Sequence, residues 1–208
     1  MPNQANDPWN AAVYETVDVG RWVRLKKSYV SRWLGRGTRC ASFLDLIDLL
    51  FAKPFLDYGL RLHHLHAALS EISDLFGSDH FAAKEFFTDG HGLFLRTRSF
   101  GTAILKLLSD GHWIATNEIL RAADFIDFDS ASGLAVRWYP EGHSGLIVVD
   151  PCIACGRPTI DGRAVASADV YASFEAEQRN LTSVCERFHL NAQEAEAAIA
   201  FEEQLEQK

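Results

Sequence analysis

The apolar residues of this chain recur at helical spacing near both ends, whereas the middle carries short strand-like runs. Val30, Trp33 and Leu34 share one helical face near the front, and three further helical patterns follow Ser167. Between these regions, short apolar runs flank the turn-forming segment Pro140-Glu141-Gly142. This order predicts an α+β fold, with helices at both ends and a small sheet between them.

The front of the chain is predicted to form two short helices joined by a turn. The first runs from Val17 to Val23 with Thr16 as its N-cap. The second runs from Tyr29 to Arg36 with Ser28 as its N-cap, and Gly35 lies near its end. The small core between the helices is expected to consist of Trp22, Leu25, Val30 and Trp33.

Two longer helices are predicted next, before the pattern changes. Apolar residues recur at helical spacing from Ser42 to Tyr58, where Pro54 is expected to end or kink the helix. A second helix is predicted from Leu62 to Phe76, ending at Gly77.

The middle and the tail differ in predicted secondary structure. Two strand pairs are predicted in the middle, namely Phe86–Thr88 with Leu93–Leu95 and Leu134–Trp138 with Leu146–Val149, and Ile104–Leu108 is predicted helical. Three tail helices are predicted, namely Val170–Glu177, Leu181–His189 and Ala192–Gln204, with Asn180 and Asn191 as candidate caps. We therefore expect a helix-turn-helix domain over 1–80, an α+β segment over 81–144 and a helical module over 145–208.

Charge is unevenly distributed along this acidic chain. The net charge is −8, yet no acid occurs between Asp18 and Asp45. Seven of the 20 basic residues lie in that stretch, and they are Arg21, Arg24, Lys26, Lys27, Arg32, Arg36 and Arg39. A compact basic segment on an acidic protein creates a local field suited to phosphate, although a merely solvated surface remains the alternative.

This basic segment coincides with the predicted helix-turn-helix. Such a motif reads DNA through the N-terminal part of its second helix, while basic side chains fix it on phosphates. The predicted DNA-binding residues are Arg21, Lys26, Lys27, Ser28, Tyr29, Arg32, Arg36 and Arg39. A plain helical hairpin with a solvated basic face is the alternative.

Other chemistry-bearing residues do not form a convincing catalytic or metal site. Cys152-x-x-Cys155 lacks the second Cys or His pair that a closed zinc site needs. Asp124, Asp127 and Asp129 alternate with apolar residues, which favours solvated acids, but a metal-dependent enzyme stays open as an alternative. We expect no enzyme activity, cofactor or metal.

Composition favours a cytoplasmic protein. The sequence contains no apolar run of the roughly 18–20 residues that span a bilayer. Its first ten residues have neither the basic nor the apolar region of a signal peptide.

Two regions resemble known families. Tyr14 to Leu34 resembles the opening helix-turn-helix of MerR-type regulators, through Gly20, Leu25 and the run from Ser28 to Leu34. The tail resembles an antitoxin-associated domain, through Val149-Asp150-Pro151 and the run from Gly156 to Gly162, followed by three helices. One departure lies in Gly162-Arg163-Ala164-Val165-Ala166, where that family usually has Gly-Thr-Arg-Ile-Pro, so the family's arginine is replaced by Ala164.

Together, the head and the tail resemble VapB-type antitoxins. The resemblance implies a three-helix, homeodomain-like tail, a PIN-like ribonuclease toxin as partner, operator DNA as ligand, and a homodimer or a hetero-oligomer with the toxin. A MerR-like regulator without a toxin is the alternative. Partner contacts are expected at Arg157 and Arg163, or on the last helix at Ala195 and Ile199, although Arg157 could merely brace its turn through local carbonyls.

Overall fold

A computed structural model describes residues 8–35, 37–57, 59, 61–67 and 124–207. The chain forms two compact units, 1–135 and 136–208. Helices and small two-stranded antiparallel sheets make up the described parts, which confirms the predicted α+β class.

The first unit contains two short helices, framed by two short strands, and one longer helix. Its elements are β1 (Tyr14–Glu15), α1 (Thr16–Trp22), α2 (Lys27–Trp33), β2 (Cys40–Ala41), α3 (Phe43–Asp57) and β3 (Ile126–Phe128), and residues 62–67 are also helical. Most of the largest buried side chains of this unit lie on α3, where Phe43, Leu46, Ile47 and Phe55 are almost inaccessible to solvent.

The predicted caps of α1 and α2 are wrong. The N-caps are Glu15 and Lys26, neither of which makes a side-chain capping bond. Both helices begin before the predicted residue, so Thr16 and Ser28 already lie within the first helical turn. At the other end, α2 stops before Gly35, whose φ of 91° places it in the left-handed region that favours glycine.

Of the two effects expected of Pro54, an end or a kink, the end does not occur, because α3 continues to Asp57. Proline removes one backbone hydrogen bond from a helix. Burial of Pro54 and Phe55 offsets this loss by packing the last turn against the core. At the start of α3, Ser42 and Asp45 exchange side-chain and backbone hydrogen bonds of 2.7–3.1 Å.

The second unit combines short strands with three helices. Its elements are β4 (Ala135–Trp138), which spans the division between the units, β5 (Ile147–Val148), a 3₁₀ turn (Ala154–Gly156), β6 (Thr159–Ile160), α4 (Ser167–Ala176), α5 (Leu181–Phe188) and α6 (Ala192–Glu206). The three predicted tail helices are therefore confirmed. Asn180 and Asn191 cap α5 and α6 as predicted, and Asn191 forms a full capping box with Glu194.

The predicted pairing of Leu134–Trp138 with Leu146–Val149 is largely replaced by other partners. In the structure, β3 pairs with β4, and β5 pairs antiparallel with β6, with Ile147 opposite Ile160. Only the bridge between Trp138 and Val149 joins the two predicted strands. The reason is that β6, which was not predicted, takes the place beside β5.

The tail unit starts at residue 136, ahead of the expected boundary at 145. The backbone groups of Trp138 and Val149 exchange hydrogen bonds of 2.8 and 3.0 Å. Arg137 also donates to the nearly buried Asp150 at 2.7 Å. These contacts tie β4 to the tail. The predicted hairpin at 86–95, the helix at 104–108 and the end of the 62–76 helix lie outside the described residues.

Candidate nucleic-acid interface

The core between α1 and α2 differs from the predicted one. Val30 and Trp33 are buried as expected, but Trp22 and Leu25 are only half-buried. Val19 and Val23 fill the core instead, because α1 turns this face toward α2.

Gly20 permits the tight turn between the two helices. The N–H of Leu25 donates to the carbonyl of Gly20 at 2.9 Å. A Cβ at residue 20 would lie 2.8 Å from the carbonyl oxygen of Leu25, closer than such atoms normally approach. The turn that positions α2 therefore depends on a residue without a side chain.

A strand pair holds together the two ends of the segment that contains α1 and α2. Tyr14 lies opposite Ala41, and Glu15 lies opposite Cys40. The N–H of Thr16, at the start of α1, donates to the carbonyl of Arg39 at 3.1 Å. Sequence periodicity could not reveal this pair, because each strand has only two residues. Its consequence is that Arg39 lies beside the beginning of α1.

Most of the predicted DNA-binding side chains are accessible. The exposed ones are Arg21, Lys26, Lys27, Ser28, Arg32 and Arg39, whereas Tyr29 is half-buried. Arg36 lies outside the described residues. Arg24 belongs to the basic run but not to the predicted DNA-binding residues, and it is also exposed. Within the described ranges, none of these basic side chains forms an ion pair.

The start of α2 concentrates positive charge. Lys26 and Lys27 occupy the N-cap and the first helical position, and the first turn contains no acid. The N-terminal end of a helix is itself electropositive, so each basic residue there typically costs about 0.3–1 kcal/mol. The lysines therefore do not stabilise this helix.

Among the described basic residues of this segment, Arg32 is the one whose side chain is held by a hydrogen bond and a ring contact. Its Nε donates to the carbonyl of Ser28 at 3.0 Å. Its guanidinium carbon lies 4.8 Å from the centre of the Tyr29 ring, within cation–π range. Tyr29 is thus a platform for Arg32.

Behind α2, the ring of His66 stacks on Trp33, with 4.6 Å between ring centroids. Partial burial lowers the pKa of His66 below its usual value, since desolvation disfavours the charged imidazolium. This stack braces α2 from residues 62–67. Sequence analysis did not single out His66 for this contact.

In the tail, both candidate partner-binding arginines are paired with helix carboxylates. Arg157 makes two bonds of 3.0 and 3.1 Å to Asp169, rather than bonding local carbonyls. Arg163 makes two bonds of 3.1 and 3.3 Å to Glu194. The N–H of Asn191, and then Arg163, hold the pKa of Glu194 below its usual value. The Gly156–Arg163 segment is therefore clamped onto α4 and α6.

The prediction that Ala195 and Ile199 form an accessible partner face is wrong. Ala195 and Ala198 are completely buried, and Ile199 is 7% exposed. This face of α6 packs within the tail unit, where α6 contacts α4, α5, β5 and β6. An amphipathic pattern cannot distinguish a helix that covers its own module from one that awaits a partner.

Among the residues that the structure describes, no cluster of three His, Cys, Asp or Glu side chains could hold a metal ion. None of the four cysteines, all of which lie among the described residues, forms a disulfide, and Cys152 and Cys155 are exposed. Asp129 accepts hydrogen bonds from Ala131 and Ser132 within its own turn, which lowers its pKa. In the same described ranges, no helix has the length and apolar character needed to cross a membrane.

Comparison with known proteins provides a structural relative. No family model and no curated protein matches the sequence. The fold is similar to the X-ray crystal structure of Rv2018 from Mycobacterium tuberculosis, with a TM-score of 0.71 and 17% sequence identity. The match covers 92% of this chain and 99% of that chain. At this identity, the likeness establishes a common fold and nothing about function.

Proposed function

We propose that this chain is a cytoplasmic, homodimeric antitoxin that binds operator DNA through its helix-turn-helix and neutralises a PIN-like ribonuclease through its tail. The observation that carries the DNA-binding part is the set of exposed cations on and around α2 that form no ion pair within the described residues. Phosphate is the ligand class that such a surface fits, and the helix-turn-helix geometry matches major-groove binding.

The antitoxin part rests on the resemblance of the tail to antitoxin-associated domains. The clamped Gly156–Arg163 segment supports it, because a pre-ordered loop loses little conformational freedom when a partner docks. Arg157 and Arg163 remain about half exposed. To meet the carboxylates of a nuclease, each guanidinium would exchange its present acid for one on the partner.

A gel-shift titration over a range of salt concentrations tests the DNA-binding proposal. The probe is duplex DNA from upstream of the chain's own reading frame. We expect Lys26→Ala combined with Lys27→Ala to weaken binding and to reduce the slope of log affinity against log salt by about two. The control is Arg157→Ala combined with Arg163→Ala, which makes the same change in net charge. Equal slopes for the wild type and the lysine double variant would exclude this interface.

Co-expression with the protein of the adjacent reading frame tests the antitoxin proposal. We expect the full-length chain to co-purify with that protein and to suppress its ribonuclease activity. Full inhibition by both Arg157→Ala and Arg163→Ala, with unchanged affinity, would rule out the arginine loop as the inhibitory element. DNA binding without any such partner would instead favour a MerR-like regulator.

A further inference from the structure

Arg32 differs from the other exposed cations around α2 because its conformation is restricted at two points. The hydrogen bond from Nε to Ser28 fixes the inner edge of the guanidinium. The ring of Tyr29 supports one of its faces. Among the described residues, neither Lys26 nor Lys27 has a comparable contact, so their ammonium groups can follow a nearby phosphate.

The restriction also places the guanidinium at a particular end of α2. Side chains on a helix lean toward its N-terminus, and Arg32 bonds to a residue one turn earlier. Its guanidinium is therefore anchored to a residue of the first turn, Ser28, although its Cα belongs to the last turn of α2. In a helix-turn-helix, the first turn of the second helix is the part that meets base edges.

The N–H donors of Arg32 that remain available suit one base, guanine. Nε is occupied by Ser28, and no hydrogen bond within the described residues uses the two terminal amino groups. Paired arginine N–H groups match the O6 and N7 acceptors that guanine displays in the major groove. A lysine ammonium supplies charge without this fork. Holding the fork in advance also reduces the side-chain freedom lost on binding.

We propose that Arg32 recognises a guanine, with Tyr29 as its positioning residue, whereas Lys26 and Lys27 bind phosphates without regard to sequence. This inference rests on the DNA binding proposed above and adds a division of labour within it. Arg32 then determines specificity, and the lysines determine salt-dependent affinity.

The test uses a duplex that wild-type protein enriches from a randomised pool. Methylation of guanine N7 is expected to block wild-type binding at one or more positions. With Arg32→Lys, at least one of these positions is expected to become insensitive, and affinity for the enriched duplex to fall by about 10- to 100-fold. Replacing that guanine by 7-deazaguanine should weaken the wild type but not Arg32→Lys. Arg187→Lys, in the tail, is the matched control and is expected to keep the full methylation pattern.

Tyr29 variants test the platform. Tyr29→Phe keeps the ring and is expected to preserve the methylation pattern, whereas Tyr29→Leu is expected to weaken it. An unchanged pattern in Arg32→Lys, with only a smaller salt slope, would make Arg32 a phosphate contact and overturn the inference while DNA binding stands. If the wild type enriches no duplex at any salt concentration, the proposed DNA binding fails, and the assignment of Arg32 fails with it.

Discussion

The cations around α1 and α2 and those of the tail have opposite surroundings. Around α2, exposed basic side chains lie in a stretch without acids and form no ion pair within the described residues. In the tail, every arginine is paired with a carboxylate, and these arginines are Arg137, Arg157, Arg163, Arg179 and Arg187. The placement of acids therefore distinguishes the two regions, because the cations around α2 have no acidic partner within the described residues, whereas the tail arginines are held in ion pairs.

Charge reversal in each region gives the largest expected contrast. Lys27→Glu places an acid in the first turn of α2, where it should stabilise the helix while it lowers DNA affinity by about 10-fold or more. Arg163→Glu places two acids together at Glu194 and should lower the melting temperature. Melting curves and gel shifts on both variants check this. If Lys27→Glu instead lowers the stability and leaves the DNA affinity unchanged, Lys27 has a structural role and does not bind DNA.

A change at the turn between α1 and α2 tests how the cations are presented. Gly20→Ala forces a Cβ against the carbonyl of Leu25 and should destabilise the protein by about 1–3 kcal/mol. Denaturant unfolding measures this cost. Val17→Ala, at an exposed position of the same helix, is the control and should change stability by less than about 0.5 kcal/mol. Similar losses of stability in both variants would mean that the turn does not require the close approach of Gly20 to the carbonyl of Leu25.

The two helix caps of the tail offer a finer comparison. Asn191 bonds to Glu194 at 2.9 Å in a reciprocal box, whereas Asn180 accepts a single bond from Ser183 at 3.3 Å. We expect Asn191→Ala to cost about 1 kcal/mol and Asn180→Ala to cost less. Denaturant midpoints of the two variants decide the order. A larger cost at Asn180 would contradict the importance of the box.

The smallest expected effect is a pH dependence at Glu194. Its lowered pKa means that it stabilises the fold above its usual value of 4.5, and that this contribution disappears as pH falls through the lower folded pKa. Glu194→Gln should therefore melt earlier near neutral pH, with a shallower loss of stability in acid. Asp161→Asn, at an exposed loop position, serves as the control. Parallel acid melting profiles for Glu194→Gln and the wild type would count against this account.

Local sequence signals determined the elements that depend on neighbouring residues. Apolar spacing predicted the helices of both units, and Asn180 and Asn191 predicted the starts of α5 and α6. The acid-free basic run predicted the exposed cations around α2. These features depend on contacts within one or two helical turns, so they can be predicted from the sequence.

Tertiary structure decided which surfaces stay available and which residues become partners. Pairing of Arg163 with Glu194 joins positions 31 residues apart, and the strand pair of Tyr14 and Ala41 links both ends of the segment that contains α1 and α2. The face of α6 that contains Ala195 and Ile199 is buried within the tail unit itself. The spacing of apolar residues along the chain does not indicate which of these long-range contacts form. They depend on how packed elements approach one another, because apolar surface is buried by whichever element can reach it.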